Sequence, residues 1–238
     1  TVRITPMQDA VGTTTIYLIV SDGINYATNN FKLTVAQPGA LELYEPFDYP
    51  DGALQETSSY KWFRHSGTAS ETQVFAGKAL LNQTNTEDLS IYLYNVPPIG
   101  YYPTNEGYLL YSSFELNYKS LPTTSSGDYF AHYRGIDTSN FRCRIFATTN
   151  GAATGHYRIG VANAGSTVFW ITNDLATNQT YIIATRYNVS TAESKIWVNP
   201  LSESDIGAEA TDFTTPIDIW SFCLRQNSGI GSLTIDNL

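Results

Sequence analysis

Phe141-Arg142-Cys143-Arg144-Ile145, within residues 140–147, alternates apolar with charged side chains, the period-two pattern of a half-buried β-strand. Read at that period, it sends Phe141, Cys143 and Ile145 inward and leaves Arg142 and Arg144 on the opposite face. Residues 156–162 repeat the pattern, with Tyr157, Ile159 and Val161 inward and His156 and Arg158 outward. His132 and Arg134 lie a little upstream. Four of the eight arginines of an otherwise acidic chain thus fall within about 25 residues, on faces this reading leaves solvated. Such a patch suits an anionic ligand. The plainer alternative is a solvated ladder in which each Arg pairs across strands with Asp or Glu, contributing a few tenths of a kcal/mol.

Strand signals extend in both directions from this stretch. Upstream, Thr14–Ser21 and Phe31–Val35 alternate polar with apolar residues around Ser21-Asp22-Gly23, a turn sequence. A break follows at Gln37-Pro38-Gly39, dividing the chain into 1–37 and 41–238. Beyond it, strand-like segments recur at 41–46, 72–76, 78–82, 89–95, 107–118, 128–134, 140–149, 156–163, 167–171, 179–188, 194–198, 217–226 and 231–236. Pro97-Pro98, Ser125-Ser126-Gly127, Asn150-Gly151 and Asn227-Ser228-Gly229 punctuate them, and no amphipathic helix longer than two turns is evident. This many strands in one stretch predicts an all-β, two-sheet antiparallel sandwich of the jelly-roll type.

Composition narrows the class. Only 15% of residues are charged and 13% are aromatic, with a net charge of −9. That balance disfavours a nucleic-acid backbone or an anionic membrane as main partner, since both need a basic footprint. No apolar run approaches the roughly 20 residues that span a bilayer, so membrane insertion is not expected. The acidic, Lys-poor, Thr/Asn/Tyr-rich profile is that of secreted bacterial proteins. Position 1 is Thr, and the chain reads as cut from a longer polypeptide, with strands of its first piece supplied from upstream or by another chain. Cys143 and Cys223 lack metal-knuckle or redox spacing; they read either as two buried free thiols or, in a secreted protein, as a disulfide.

Two resemblances follow from these residues. The order Gly12-Thr13-Thr14-Thr15-Ile16, Val20-Ser21-Asp22-Gly23 and Phe31-Lys32-Leu33-Thr34-Val35 resembles the last strands of bacterial immunoglobulin-like or cadherin-like repeats. A full repeat needs roughly 100 residues, so residues 1–36 are a partial one. The opening Leu43-Tyr44-Glu45-Pro46-Phe47-Asp48-Tyr49-Pro50-Asp51-Gly52, with Trp62, His65-Ser66-Gly67, Gly77-Lys78-Ala79-Leu80, Gly127-Asp128-Tyr129-Phe130-Ala131-His132, Lys195-Ile196-Trp197-Val198-Asn199-Pro200 and the closing Leu233-Thr234-Ile235-Asp236-Asn237-Leu238, resembles laminin-G-like, concanavalin-type jelly rolls of secreted bacterial proteins. The second resemblance implies adjacent first and last strands. It also implies a structural calcium held by Glu45 or Asp48, a carbonyl at Gly77 and Asp236, completed by further oxygens because calcium takes six to eight; the competing reading of Asp48–Gly52 is plain turn chemistry.

The chemistry is sparse. Glycosidases on such folds carry paired carboxylates on one strand face, and Glu115 and Asp128 stand alone. Polysaccharide lyases use Arg or Asn to neutralise a uronate carboxylate while His and Tyr exchange protons, which keeps His132, Arg142, Arg144, His156 and Arg158 in view as ligand contacts. Among aromatics, Trp62, Trp197 and Trp220 read as core, whereas the Tyr101-Tyr102 pair reads as a loop platform for a sugar ring. The leading expectation is therefore a non-catalytic glycan-binding or adhesive module of a secreted or cell-surface protein, with a cell-surface polysaccharide as partner. The second is a structural subunit whose strands 1–36 pair with neighbouring copies; a polysaccharide lyase ranks third.

Overall fold

The computed structural model describes residues 12–35, 43–93, 100–136, 139–165 and 167–238. The break at 37–39, Tyr94 and Pro97-Pro98 lie outside them. The chain divides into two units, Thr1–Glu42 and Leu43–Leu238.

In the first unit, β1 (Gly12–Ser21) and β2 (Tyr26–Val35) pair antiparallel without a register shift, from Gly12 opposite Val35 to Ser21 opposite Tyr26. Asp22 builds the turn: its Oδ1 accepts the amides of Ile24 at 2.9 Å and Asn25 at 2.7 Å, while Ser21 Oγ accepts that of Gly23 at 3.0 Å. Short polar side chains stabilise turns in this way. Tyr17, Ile19, Val20 and Tyr26 remain exposed, and a two-stranded ribbon with uncovered apolar side chains is marginal by itself.

The second unit contains β3 (Gly52–Ala53), the single helical turn α1 (Leu54–Thr57), β4 (Trp62–Ser66), β5 (Gln73–Phe75), β6 (Lys78–Asn82), β7 (Asp88–Tyr92), β8 (Leu109–Ser120), β9 (Asp128–Gly135), β10 (Phe141–Thr148), β11 (His156–Ala162), β12 (Phe169–Trp170), β13 (Leu175–Ala176), β14 (Thr180–Asn188), β15 (Ser194–Val198), β16 (Ala208–Ala210), β17 (Ile219–Arg225) and β18 (Ser232–Asp236). Two antiparallel sheets result. One runs β12-β11-β10-β9-β17-β7-β4 with β13 beside β11; the other runs β16-β15-β14-β8-β18-β6-β5-β3. This is the two-sheet jelly-roll sandwich that the strand spacing predicts.

Aromatic side chains join the sheets. Phe114 of β8 meets Phe130 and Phe222 at 6.3 Å, Tyr118 meets Tyr157 at 4.4 Å, and Tyr187 meets Tyr133 at 5.8 Å. Rings of this size dominate core burial, and tilted or edge-on pairs add to it. The unit closes on itself: the Glu45 amide donates to the Leu238 carbonyl at 2.7 Å, and Leu238 donates back at 3.0 Å. The first and last segments are thus adjacent, although 43–48 forms no regular strand.

The β9–β10 pair departs from simple alternation. Arg142 lies opposite Tyr133 but Ile145 opposite Ala131, so β10 carries one extra residue there, and Cys143 takes φ 50°. An inserted residue flips every side chain on one side of it. Cys143 and Ile145 still point inward and Arg144 outward. Phe141 and Arg142 exchange faces relative to the sequence expectation.

Candidate functional site

The two outer faces differ in kind. On the β8 sheet, Tyr111 donates to Glu203 at 2.6 Å, Arg186 pairs with Glu203 at 3.3 Å and Lys195 with Glu209 at 4.0 Å, an ordinary solvated ladder. The outer face of the β9 sheet instead carries aromatic rings, histidines and a thiol.

Register builds that face. Phe63, Ser90, Cys223 and His132 lie opposite one another across β4, β7, β17 and β9, and Tyr92, Ser221 and Arg134 form the next row. A register shift between Ile219 and Ser221 projects Trp220 beside them. Phe63 stacks on Tyr92 at 4.5 Å, and Tyr92 meets Trp220 edge-on at 5.0 Å. The Arg134 guanidinium sits 5.6 Å over the Trp220 ring, a cation–π arrangement that holds the indole in place. Tyr92 is 40% exposed, and Phe63 and Trp220 are half-buried. An open depression of about 330 Å³, lined by Thr104, Gly135, Ile136, Pro216, Ile217 and Asp218, lies where β9 ends and β17 begins.

One row further along the face, His65, His132 and Cys223 each place a ligand-type atom within 4.8 Å of the others. Ser90 Oγ sits among them, 2.8 Å from His65 Nδ1 and 3.2 Å from Cys223 Sγ. His132 is fully buried under Phe141, whose ring lies 4.4 Å away, and Tyr129 at 5.5 Å. Burial, aided by the Arg134 charge, pushes His65 down to about 4; burial first, then the surrounding charges, holds His132 well below its ordinary value. The Cys223 thiol is pushed up to about 12 by burial.

The third part of the face is cationic and aromatic. Arg225 lies 4.0 Å over the Tyr129 ring and pairs with Asp128 at 2.8 Å. Arg144 covers Tyr129 from 5.0 Å and donates to the carbonyls of Ala164 and Gly165. Trp170 lies over Gly160, where a Cβ would come within 2.6 Å of the indole.

The structure separates the residues singled out from sequence. Arg142 is not on a solvated face: it is buried, and donates to the Thr215 carbonyl through Nε at 3.1 Å and to the Phe141 carbonyl at 2.8 Å, because the extra residue at Cys143 turned it inward. Arg144 points outward but lies against rings and carbonyls. Arg158 pairs with Asp174 at 2.7 Å, and His156 Nδ1 lies 3.1 Å from the Thr154 carbonyl. No common arginine face forms from these positions. Tyr102 is buried, pairs with Ile219 and meets Tyr108 edge-on at 5.1 Å, so it is not a loop platform; Tyr101 is half-buried. Trp220 lies on the outer face against Tyr92 and Arg134, not in the core that its sequence context suggests. Cys143 and Cys223 are both free, since one faces the core and the other the outer side.

Two of the carboxylates expected to hold calcium have protein partners. Glu45 is buried, and its carboxylate accepts from Phe47 N at 2.8 Å, Tyr49 Oη at 2.8 Å and Trp62 Nε1 at 3.2 Å. Asp236 pairs with Lys78 and accepts from Asn237 N at 2.9 Å. Asp48 is exposed, and Gly77 with φ +70° forms the turn between β5 and β6. Three protein donors on one carboxylate leave it little to offer a cation.

His65 and Trp220 escaped the sequence reading as site residues. β4 is too short to show alternation, and Trp220 sits at an irregularity that alternation cannot foresee. Fixed spacing between His65, His132 and Cys223 does not exist in sequence; the sheet alone brings them together.

No family model and no curated protein matches the chain. Among solved structures, it is similar to the Emp46p carbohydrate recognition domain in its potassium-bound form, at 11% identity over 82% of this chain and 94% of that one, TM-score 0.44. It is also similar to the Ca²⁺-bound VIP36 exoplasmic/lumenal domain, at 15% identity over 82% and 92%, TM-score 0.41, and to peanut lectin with a 9-mer peptide, at 11% identity over 95% and 98%, TM-score 0.44.

Proposed function

We propose that residues 43–238 form a non-catalytic glycan-binding module of a secreted or cell-surface bacterial protein. The observation that carries this reading is the Phe63–Tyr92–Trp220 group, held by Arg134 on an outer sheet face. Flat aromatic faces are what pyranose rings stack on, and recognition needs few polar groups if they are fixed in place. A non-catalytic role is favoured over a lyase because, of the two histidines suited to proton exchange, His132 is fully buried while a general base must reach the proton it takes, and His156 stands two residues from an arginine already paired with Asp174. The test is retention on a panel of immobilised neutral and uronate polysaccharides. Retention that Tyr92→Ala and Trp220→Ala abolish, without release of unsaturated uronates, supports the proposal; equal retention by the folded variants rejects it.

A second reading rests on the hairpin. Its exposed Tyr17, Ile19, Val20 and Tyr26 suit packing against a neighbouring copy in an extracellular assembly, because the outer edge of a strand offers backbone groups to another chain.

A further inference from the structure

We infer that His65, His132 and Cys223 form a binding site for a soft monovalent metal ion, copper(I). Both nitrogens of the fully buried His132 ring and Nε2 of His65 lack hydrogen-bond partners, although buried polar atoms are rarely left so. One nitrogen of each ring and the Cys223 sulfur lie within 4.8 Å of one another, close enough to converge on one ion after small side-chain rotations. Ser90 Oγ, 2.8 Å from His65 Nδ1, fixes the ring so that Nε2 is the nitrogen on offer; metal-bound imidazoles are commonly oriented through the opposite nitrogen.

Donor chemistry selects the ion. Two imidazoles and a sulfur suit zinc or copper(I), whereas calcium and magnesium require hard oxygens. Charge then decides between the two. Arg134 Nη1 lies 3.4 Å from the same Ser90 Oγ; Arg144 also acts on His132, Arg225 is already paired with Asp128, and the Asp88 carboxyl acts on Cys223 less strongly than Arg134 does. A divalent ion with one thiolate would leave a net positive charge beside these guanidinium groups, and a monovalent ion leaves none. Binding breaks the Cys223 S–H bond, forms a copper–sulfur bond and releases the proton to solvent; copper stays in the +1 state throughout.

The test is anaerobic titration of the 238-residue chain with Cu⁺ against a competing chelator, with circular dichroism as the check on folding. One equivalent should be retained. Because loss of an orienting partner costs about 10–100-fold in affinity, His65→Ala and Cys223→Ser should each weaken binding by at least about 100-fold, while Cys143→Ser leaves it intact. Absence of retained Cu⁺ in the folded parent overturns the site, as does undiminished binding in folded His65→Ala and Cys223→Ser. If either variant fails to fold, X-ray absorption on the copper-loaded parent decides: two nitrogens and one sulfur support the assignment, and a shell without sulfur overturns it.

Discussion

The Phe141 ring lies 4.4 Å from the His132 imidazole on the outer face of the β9 sheet, and the extra residue at Cys143 is what puts it there. A second shift follows between Ile145 and Phe146, but without the residue at Cys143 alternation would turn Phe141 toward the core and Arg142 toward the outer face. One backbone irregularity therefore exchanges a charged cover for an aromatic one above a buried imidazole, and sends the guanidinium to backbone carbonyls instead.

Arg142→Ala is expected to act on stability rather than on ligand retention. A hydrogen bond to a charged group contributes about 1.5–3 kcal/mol, so chemical denaturation should show a loss of about 2–3 kcal/mol. Retention on anionic polysaccharide should equal that of the parent at a temperature where both are folded.

Glu45 supplies a second check. Glu45→Gln replaces one acceptor oxygen with an NH₂ that faces the Tyr49 hydroxyl or the Trp62 indole N–H. Leaving such buried donors unmet costs about 1–3 kcal/mol, which denaturation should register. A calcium-selective chelator should leave the parent's melting temperature unchanged, because the same oxygens are already taken.

Much of this fold was legible in the sequence because strand periodicity survives wherever a strand is regular: 78–82 and 194–198 match β6 and β15 residue for residue, and most others differ by one to three residues at an end. The site was less legible. Alternation through 140–147 fails at a bulge, which has no composition signal in Arg142-Cys143-Arg144, so alternation alone puts Arg142 on the outer face and the structure puts it inside. Trp220 failed for the same reason at the β9–β17 register shift. His65 lies on a five-residue strand whose partner rows come from β7, β9 and β17, a proximity that only the folded sheet creates. The Glu45–Leu238 pairing was anticipated from a resemblance of the ends, yet that resemblance could not show that Trp62 and Tyr49 would occupy the carboxylate.

Asp88 gives a pH dependence. Burial raises its pKa from 3.8 to about 6, against the opposing pull of Arg225. A carboxyl with a raised folded-state pKa binds its proton more tightly when folded, so its ionisation costs stability as pH rises from about 4 to about 6, and the full cost persists above that. The melting temperature of Asp88→Asn relative to the parent should therefore increase across this window and level off beyond it. A difference that stays constant from pH 4 to pH 7 would contradict this assignment.

The hairpin reading predicts self-association through β1 and β2. Replacing Ile19 and Val20 with Lys should shift sedimentation of the full chain toward the monomer. Unchanged sedimentation of a parent that does associate would place the contact elsewhere.

The most direct test of the central claim is the affinity of the parent and of Trp220→Ala for the best-retained polysaccharide, measured by isothermal titration calorimetry. Base–ring stacking on aromatic side chains contributes about 1–3 kcal/mol per base in nucleic-acid recognition, and a sugar ring stacked on Trp220 should lose a comparable amount, about 5- to 150-fold in Kd. Equal affinity of the two folded proteins would contradict a glycan site on this face.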